Sequence, residues 1–269
     1  MPSLVGSEMC IRDRYLCAPY VDPARIGREK PMPLNRFYSP NILQEGQKIT
    51  ICGREAMHIS RVLRKSEGDL VELTNGSGTL SVASIERISA KQIELHIQRS
   101  QLVKKSTPEM ILVQPLLHKS KLEWILEKAT ELGVDQFWFF TAKRGLQKTL
   151  SVATAQRFDS IVIAASKQSG RVWFPKIHSY LSLEDVPIPF SSTCYFGTID
   201  KDTPPISISS GQPDPVILCV GPESGWSHEE IKVLQDEFQA IPFAFNRNVL
   251  RTETASVSGI AILQYLLKH

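Results

Sequence analysis

The hydrophobic period of the sequence changes near Pro108, and this change constrains the fold more than any single motif. Before it, short segments alternate apolar with polar residues, which is the pattern of half-buried β-strands. These segments are Lys48–Ile51, Leu70–Leu73, Leu80–Ile85 and Gln92–Ile97. A helical stretch from Arg54 to Leu63 interrupts them, and Thr74–Gly78 has the composition of a tight turn. Several short strands at close spacing predict a small β-barrel.

After Pro108, strand patterns alternate with amphipathic helices. In Lys119–Leu132 the apolar residues share one helical face, and Gly133 follows as a stop. The predicted strands are 110–113, 136–140, 193–198, 215–220 and 241–245, and the predicted helices are 119–132, 151–169, 227–240 and 254–268. This alternation predicts a mainly parallel sheet covered by helices on both faces. The fold class is therefore a small β-barrel followed by an α/β domain.

The two halves of the chain differ in charge. Residues 1–107 carry 16 Lys and Arg against 11 Asp and Glu, a net +5, and residues 108–269 carry 15 against 17, a net −2. A basic front half is typical of proteins that meet a polyanion, although a solvated surface of mixed charge is the alternative. The five cysteines contain no CxxC pair, which indicates reduced thiols in a cytoplasmic protein and no zinc or disulfide framework.

The chain divides into three predicted parts. Residues 1–31 show no sustained helical or strand period and no apolar core of a secretory signal, so we expect a non-native or disordered leader. Residues 32–103 are predicted to form the barrel and residues 108–269 the α/β domain, with a Lys-containing linker between them. No apolar run approaches the length that crosses a bilayer.

Two loops follow strands late in the chain, where an open α/β sheet binds its ligands. The glycine loop, Gly221–Trp226, leads into a helix with a capping box formed by Ser227 and Glu230. The arginine loop, Asn246–Ala255, leads into the last helix. Neither matches a phosphate-binding motif, and Glu223 would repel an anion and suit a cation or a donor. Each loop alone could be a simple strand-to-helix turn, but together they favour a cofactor site.

Read together, these segments resemble a known family. Val220-Gly221-Pro222-Glu223-Ser224-Gly225 and Val249-Leu250-Arg251-Thr252-Glu253-Thr254-Ala255 resemble the cofactor signature of the SPOUT methyltransferases, and within them the RsmE family, which methylates N3 of a uridine in 16S ribosomal RNA. Leu122–Gly133 and Gln168–Arg171 are similar as well, and the front domain resembles that family's PUA-like barrel. The resemblance covers about Met32 to His269. Three positions depart from the family pattern, namely Ser224, Asn246 and Asn248.

The resemblance implies a trefoil-knotted domain, S-adenosylmethionine as cofactor, and a homodimer with each active site at the subunit interface. By motif position it implies that the cofactor pocket contains Leu218, Gly221, Glu223, Leu250, Thr252, Thr254 and Ala255. The substrate it implies is 16S ribosomal RNA of the small ribosomal subunit. No metal enters this expectation.

The chemistry that the resemblance implies puts the difficulty at the uridine. N3 of uracil is mostly protonated at neutral pH, so charge that develops on the carbonyl oxygens must be stabilised. An arginine suits this task, and Arg251 and Arg171 are the predicted catalytic residues. The alternatives are a helix-end salt bridge between Arg251 and Glu253, and a surface phosphate contact for Arg171. His58 is predicted to pack in the barrel.

The predicted RNA-backbone contacts are Arg36, Arg61, Arg64 and Lys65 in the front domain. Phosphate contacts give affinity without sequence information, so specificity must come from RNA shape and from the extruded base. Three rival functions stay open: an RNA-binding assembly factor without catalysis, a SPOUT methyltransferase that acts on another RNA, and a small-molecule enzyme with a merely structural barrel.

Overall fold

The structure is a computed structural model that describes residues 35–41, 43–89, 91–145, 149–200, 202–204, 206, 214–244 and 248–268. The predicted leader and Asn246 lie outside the described residues. The elements are β1 Arg36–Tyr38, β2 Lys48–Cys52, α1 Gly53–Met57, β3 Leu70–Thr74, β4 Thr79–Ile88, β5 Gln92–Leu102, β6 Met110–Pro115, α2 Lys119–Glu131, β7 Gln136–Phe140, α3 Val152–Ser169, β8 Lys176–Tyr180, β9 Thr193–Gly197, β10 Val216–Cys219, α4 His228–Lys232, β11 Ile241–Phe243 and α5 Thr252–Lys268.

The first five strands form one sheet in the order β1-β3-β4-β5-β2. Strand β1 runs parallel to β3, and the other pairs are antiparallel. Alternate residues of the strands point into one apolar core, which Ile59 from the helical segment completes. The predicted helix begins as α1 and continues as a π-helical turn, His58–Val62. This agrees with the predicted strand-rich front half, to which the structure adds strand β1.

The second sheet has six strands in the order β11-β9-β10-β6-β7-β8, and all its pairs are parallel. Successive residues of β6 alternate between two cores, with Met110 and Leu112 on one face and Ile111 and Val113 on the other. Helices α2, α3 and α5 cover the first face. Burial on both faces explains the nearly continuous apolar runs of the central strands and confirms the predicted α/β architecture.

Strand β8 and the helix after the glycine loop differ most from their predictions in the second half of the chain. Strand β8 was not predicted because Lys176, His178 and Ser179 are exposed at the sheet edge, so the segment lacks the apolar run of its neighbours. The helix predicted from Ser227 begins as α4 and continues as a π-helical turn, Val233–Glu237. Its predicted capping box is confirmed.

The turn Asn75–Gly78 of the front sheet packs against the segment after α3. Gly78 has a φ of +92°, and a Cβ there would lie 2.3 Å from the indole of Trp173. A Cβ on Gly76 would likewise lie 2.7 Å from the Phe174 ring. The Trp173 indole also donates to the Val103 carbonyl at 2.8 Å. Both glycines are thus required by a close approach, in addition to their backbone conformation. Within the described ranges, we find no helix with the length and apolar character to span a membrane.

Candidate functional site

A cavity of about 410 Å³ lies at the carboxyl ends of the neighbouring strands β9 and β10. Three segments form its wall: the end of β9, the glycine loop, and the arginine loop with the first turn of α5. The lining residues are Gly197, Thr198, Ile199, Val220, Gly221, Pro222, Ser224, Gly225, Trp226, Ile231, Asn248, Val249, Leu250, Thr252 and Ala255. Ligands of open parallel sheets bind at this edge, so the position agrees with the sequence prediction.

Trp226 fixes the shape of the glycine loop. Its indole Nε1 donates to the carbonyl of Gly197 at 3.1 Å, and its ring stacks on Phe140 with centroids 6.1 Å apart. A Cβ on Gly221 would lie 3.0 Å from that ring. The chain therefore needs glycine at position 221 to let the indole pass beneath the loop, and the indole ties the glycine loop to the end of β9.

The helix after the glycine loop is anchored by a buried carboxylate. Glu230 accepts a hydrogen bond from the Ser227 amide at 2.7 Å, and the Ser227 hydroxyl accepts one from the Glu230 amide. The second Glu230 oxygen accepts from the Lys143 amide at 3.0 Å. One side chain thus joins the start of α4 to the loop after β7, which holds the glycine loop in place.

The arginine loop is held from within the core. Thr252 and Ser256 are buried in the first turns of α5, and the Ser256 hydroxyl donates to the Thr252 carbonyl and contacts Gln114 of β6. The carbonyl of Arg251 accepts from the Ala255 amide at 2.8 Å. The backbone of the loop is therefore set by α5 and β6, and this positions Leu250, Thr252 and Ala255 at the cavity.

Lys121 of α2 lies between the two loops. Its ammonium contacts the carboxylate of Glu223 in the glycine loop and lies 3.6 Å from Oε2 of Glu253 in the arginine loop. The hydrogen bond to Glu223 raises the pKa of Lys121, and partial burial acts in the opposite direction. The rim of the cavity thus carries two carboxylates and one ammonium.

The predicted cofactor residues fall into two groups. Gly221, Leu250, Thr252 and Ala255 line the cavity. The other three lie outside its lining: Leu218 is fully buried in β10, and Glu223 and Thr254 are exposed beside it.

Arg251 is exposed between two lining residues, Leu250 and Thr252. Its side chain makes no hydrogen bond or ion pair with any other residue in the described part of the chain. The alternative salt bridge with Glu253 is not formed, because Glu253 faces Lys121. The Arg251 side chain is therefore exposed and not engaged by the described residues, next in sequence to two residues of the cavity wall.

Arg171 requires a correction. Its guanidinium donates four hydrogen bonds, to the carbonyls of Trp173, Thr130 and Val134 and to the Asp135 carboxylate at 2.7 Å. Burial lowers the pKa of Arg171 and raises that of Asp135, while each partner's charge opposes the shift. Asp135 directly precedes β7 and Arg171 precedes the neighbouring strand β8, so the pair lies at the amino edge of the parallel sheet, opposite the cavity. Arg171 would have to break these bonds to act on a substrate, so its geometry indicates an anchoring role.

Arg36 also requires a correction, whereas three other predicted RNA contacts are accessible. The Arg36 guanidinium binds Glu72 of β3 at 2.9 Å and donates to the Gly170 carbonyl, so it joins the front sheet to the end of α3 and has few donors left for phosphate. Arg61 and Arg64 are exposed, and Lys65 is half-buried, all in the segment after α1. His58 makes an edge contact with Phe37, with ring centroids 5.7 Å apart, but it is exposed and so lies at the surface of the barrel, where the sequence predicted a packed residue.

One segment of the cavity wall was not predicted. Gly197 ends β9, and Thr198 and Ile199 follow it. The signal for this segment was present, since an apolar strand ends in a glycine there. This signal could not be interpreted without the strand order, because the sequence does not show that β9 lies next to β10 in the sheet.

A parallel α/β domain with a cavity at its carboxyl edge, joined to a small β domain, defines the class of α/β proteins that bind a ligand at this edge of the sheet and carry a separate accessory domain. The chain belongs to the RNA methyltransferase family, because the model of the RNA methyltransferase domain matches residues 104–264. The model of the RNA methyltransferase PUA domain matches residues 51–98. The resemblance drawn from the loops is thereby confirmed.

Named relatives agree with this assignment. The chain is 26% identical over 244 residues to the ribosomal RNA small subunit methyltransferase E of Rickettsia conorii, which covers 88% of this chain and 98% of the relative. The structure of the Neisseria gonorrhoeae ribosomal RNA small subunit methyltransferase E bound to S-adenosyl methionine is similar with a TM-score of 0.77 and 26% identity, covering 87% and 98% of the two chains. The structure of a protein from Legionella pneumophila in complex with the same cofactor is similar with a TM-score of 0.76 and 27% identity, and it covers 87% of this chain and 98% of that one.

Proposed function

We propose that this protein transfers the methyl group of S-adenosylmethionine to N3 of a specific uridine in 16S ribosomal RNA of the small ribosomal subunit. The observation that carries the proposal is the cavity between the glycine loop and the arginine loop, in a chain that aligns over most of its length with a relative crystallised with that cofactor. Family membership also argues against a small-molecule enzyme with a merely structural front domain.

The residues present fit this cofactor. The cavity volume lies within the range of small-molecule sites, and its wall combines backbone groups of the glycine loop with the apolar side chains of Ile199, Val249 and Leu250. None of the lining residues that the structure describes is cationic, and the two carboxylates at the rim, Glu223 and Glu253, outnumber the single ammonium of Lys121, which suits a positively charged ligand. The cofactor supplies an electrophilic methyl group. The protein's contribution is to hold it in place and to exclude water.

We assign Arg251 the role of binding the uracil base that accepts the methyl group. Removal of the N3 proton leaves negative charge on the uracil carbonyl oxygens, and an exposed guanidinium beside the cavity can donate to them. Leu250 and Thr252, which directly precede and follow Arg251 in the chain, both line the cavity. The positive charge of Arg251 is therefore carried by a segment that forms the wall of the cofactor site.

The front sheet is assigned to RNA binding. We take residues 32–103 as the RNA-holding domain and residues 108–269 as the catalytic domain, which corresponds to the two sheets. Arg61, Arg64 and Lys65 lie close together in sequence after α1 and supply positive charge for phosphates. Asn75–Gly78 and Arg36 hold this domain against the segment after α3.

A homodimer in the cytoplasm is the proposed state. Helix α5 buries Ile260 and Leu263 but leaves Leu266 and Leu267 half-buried, and Val249 of the arginine loop is 77% exposed. A helix with apolar residues on more than one face needs a second surface to cover it, and a partner subunit would provide one. The knotted path of the chain that the resemblance implies stays a prediction.

The proposal is tested by separating cofactor binding from methyl transfer. We expect Arg251→Met to bind S-adenosylmethionine with unchanged affinity in calorimetry but to lose transfer to small ribosomal subunits, and Arg251→Lys to recover part of it. Transfer at the wild-type rate by Arg251→Met would remove Arg251 from the mechanism. A wild-type protein that binds subunits and cofactor but transfers nothing would identify the assembly-factor alternative, for which Ser224 at the cavity is a candidate cause.

A further inference from the structure

The two loops of the cavity carry charges that face a third element. Glu223 lies between the lining residues Pro222 and Ser224, and Glu253 directly follows the lining residue Thr252. Neither glutamate belongs to the cavity lining itself. Both instead point their carboxylates at Lys121 of α2, which is not a lining residue either.

Glu253 is the more buried of the two carboxylates and depends more on a nearby cation. Its side chain is only 16% exposed, and its Oε2 atom is buried without a hydrogen-bond partner among the described residues. A buried carboxylate oxygen without a hydrogen bond is unfavourable unless a cation lies near it. The ammonium of Lys121 at 3.6 Å is the cation in ion-pair range of Glu253 in the described part of the chain.

Lys121 therefore meets one carboxylate on each wall of the cavity. Helix α2 packs against α3 and α5. Four of its residues belong to the same apolar core as the cavity residues Val220 and Ala255. A side chain that starts from this helix has a fixed origin, so its two ion pairs limit how far the glycine loop and the arginine loop can separate. A cavity whose walls are held in place before binding loses less conformational freedom when a ligand enters.

We propose that Lys121 is a positioning residue for the methyl donor, which holds the glycine loop and the arginine loop at their working separation through Glu223 and Glu253. The inference rests on the proposed function, since it takes S-adenosylmethionine as the ligand. Lys121 touches neither the donor nor the base in this account. It acts on affinity for the donor through the two loops.

The test compares Lys121→Met with Lys119→Met in the full-length protein. Both lysines lie on α2, but Lys119 is 54% exposed and its ion pair is with Glu123 of the same helix, at 3.9 Å. We expect Lys121→Met to weaken S-adenosylmethionine binding about fivefold in calorimetry, the scale for one partly exposed ion pair, and Lys119→Met to leave it unchanged. Lys121→Arg should restore most of the affinity.

Kinetics and a double-mutant cycle separate this role from a general effect on folding. Lys121→Met should raise KM for the donor and leave kcat at saturating donor nearly unchanged, when it is measured at a temperature where both Lys121→Met and Lys119→Met are folded. Added to Glu223→Gln, it should weaken binding less than it does alone, because part of the interaction is already absent. Unchanged donor affinity in Lys121→Met, or a full effect in the Glu223→Gln background, would overturn the inference. Failure of the wild-type protein to bind the donor would instead overturn the proposed function.

Discussion

Replacing Arg171 by methionine separates an anchoring role from a catalytic one. The change keeps an unbranched side chain of similar reach but removes the donors of four hydrogen bonds. It leaves the carboxylate of Asp135, which is 5% exposed, without its cation. The Asp135 Oδ2 atom would keep only its hydrogen bond from the Met110 amide, at 3.0 Å.

The magnitude follows from the burial of both partners. The Arg171 side chain is 15% exposed, so solvent screens this pair weakly. Removal of one member of a buried ion pair costs about 3–5 kcal/mol, because the other charge stays buried and uncompensated. The matched control is Arg157→Met, which breaks a pair with Glu123 in which the arginine is 55% exposed. That change should cost less than about 1 kcal/mol.

Equilibrium unfolding in urea, with both variants measured against the wild-type protein, gives the two free-energy differences. At a temperature where Arg171→Met is folded, its affinity for S-adenosylmethionine should match the wild-type value, because the ion pair and the cavity lie at opposite edges of the sheet. A variant that keeps its stability to within about 1 kcal/mol but loses methyl transfer would refute this reasoning and return Arg171 to the catalytic site.

Three further predictions concern the cavity, the front domain and the assembly. Gly221→Ala should weaken donor binding in calorimetry because its Cβ displaces the Trp226 ring, and an unchanged affinity would show that the loop tolerates the shift. Charge removal at Arg61, Arg64 and Lys65 should weaken RNA binding and lower its log–log salt slope by roughly one for each lost phosphate contact, without a change in donor affinity. If RNA binding keeps its slope, these side chains are a solvated surface. Sedimentation should give a mass near twice 30.2 kDa, and a monomer that methylates RNA would exclude a shared site.

The elements of the fold that could be predicted are those with a strong period. The central strands of the second sheet are buried on both faces, and helix α2 shows one apolar face, so their sequences identify them. Strand β8 could not be found in this way, because an edge strand with exposed Lys176 and His178 has no apolar period. The segments after α1 and α4 were predicted as helix, but their π-helical hydrogen bonding has no simple signature in the sequence.

The candidate site was predictable where loop backbone forms the cavity wall, and less so where charged side chains form ion pairs. The motifs located four cavity residues correctly, including Gly221 and Thr252. The roles of the arginines were harder to predict, because the sequence does not show whether a guanidinium binds RNA, a substrate or a carboxylate of the same chain. Only the structure places Arg36 beside Glu72 and Arg171 beside Asp135, each 36 positions apart in the chain. Likewise, no spacing rule connects Lys121 with Glu223.

Methyl transfer to N3 of one uridine can be measured directly with an isotopically labelled methyl donor. Small ribosomal subunits from a strain that lacks this protein are incubated with the purified protein and S-adenosylmethionine that carries an isotopically labelled methyl group. The 16S RNA is then digested and analysed by mass spectrometry. We expect the label on a single uridine as 3-methyluridine, and no label when the protein is omitted. Label on another base or another RNA, or no label at all from a protein that binds the cofactor, would contradict the proposed function.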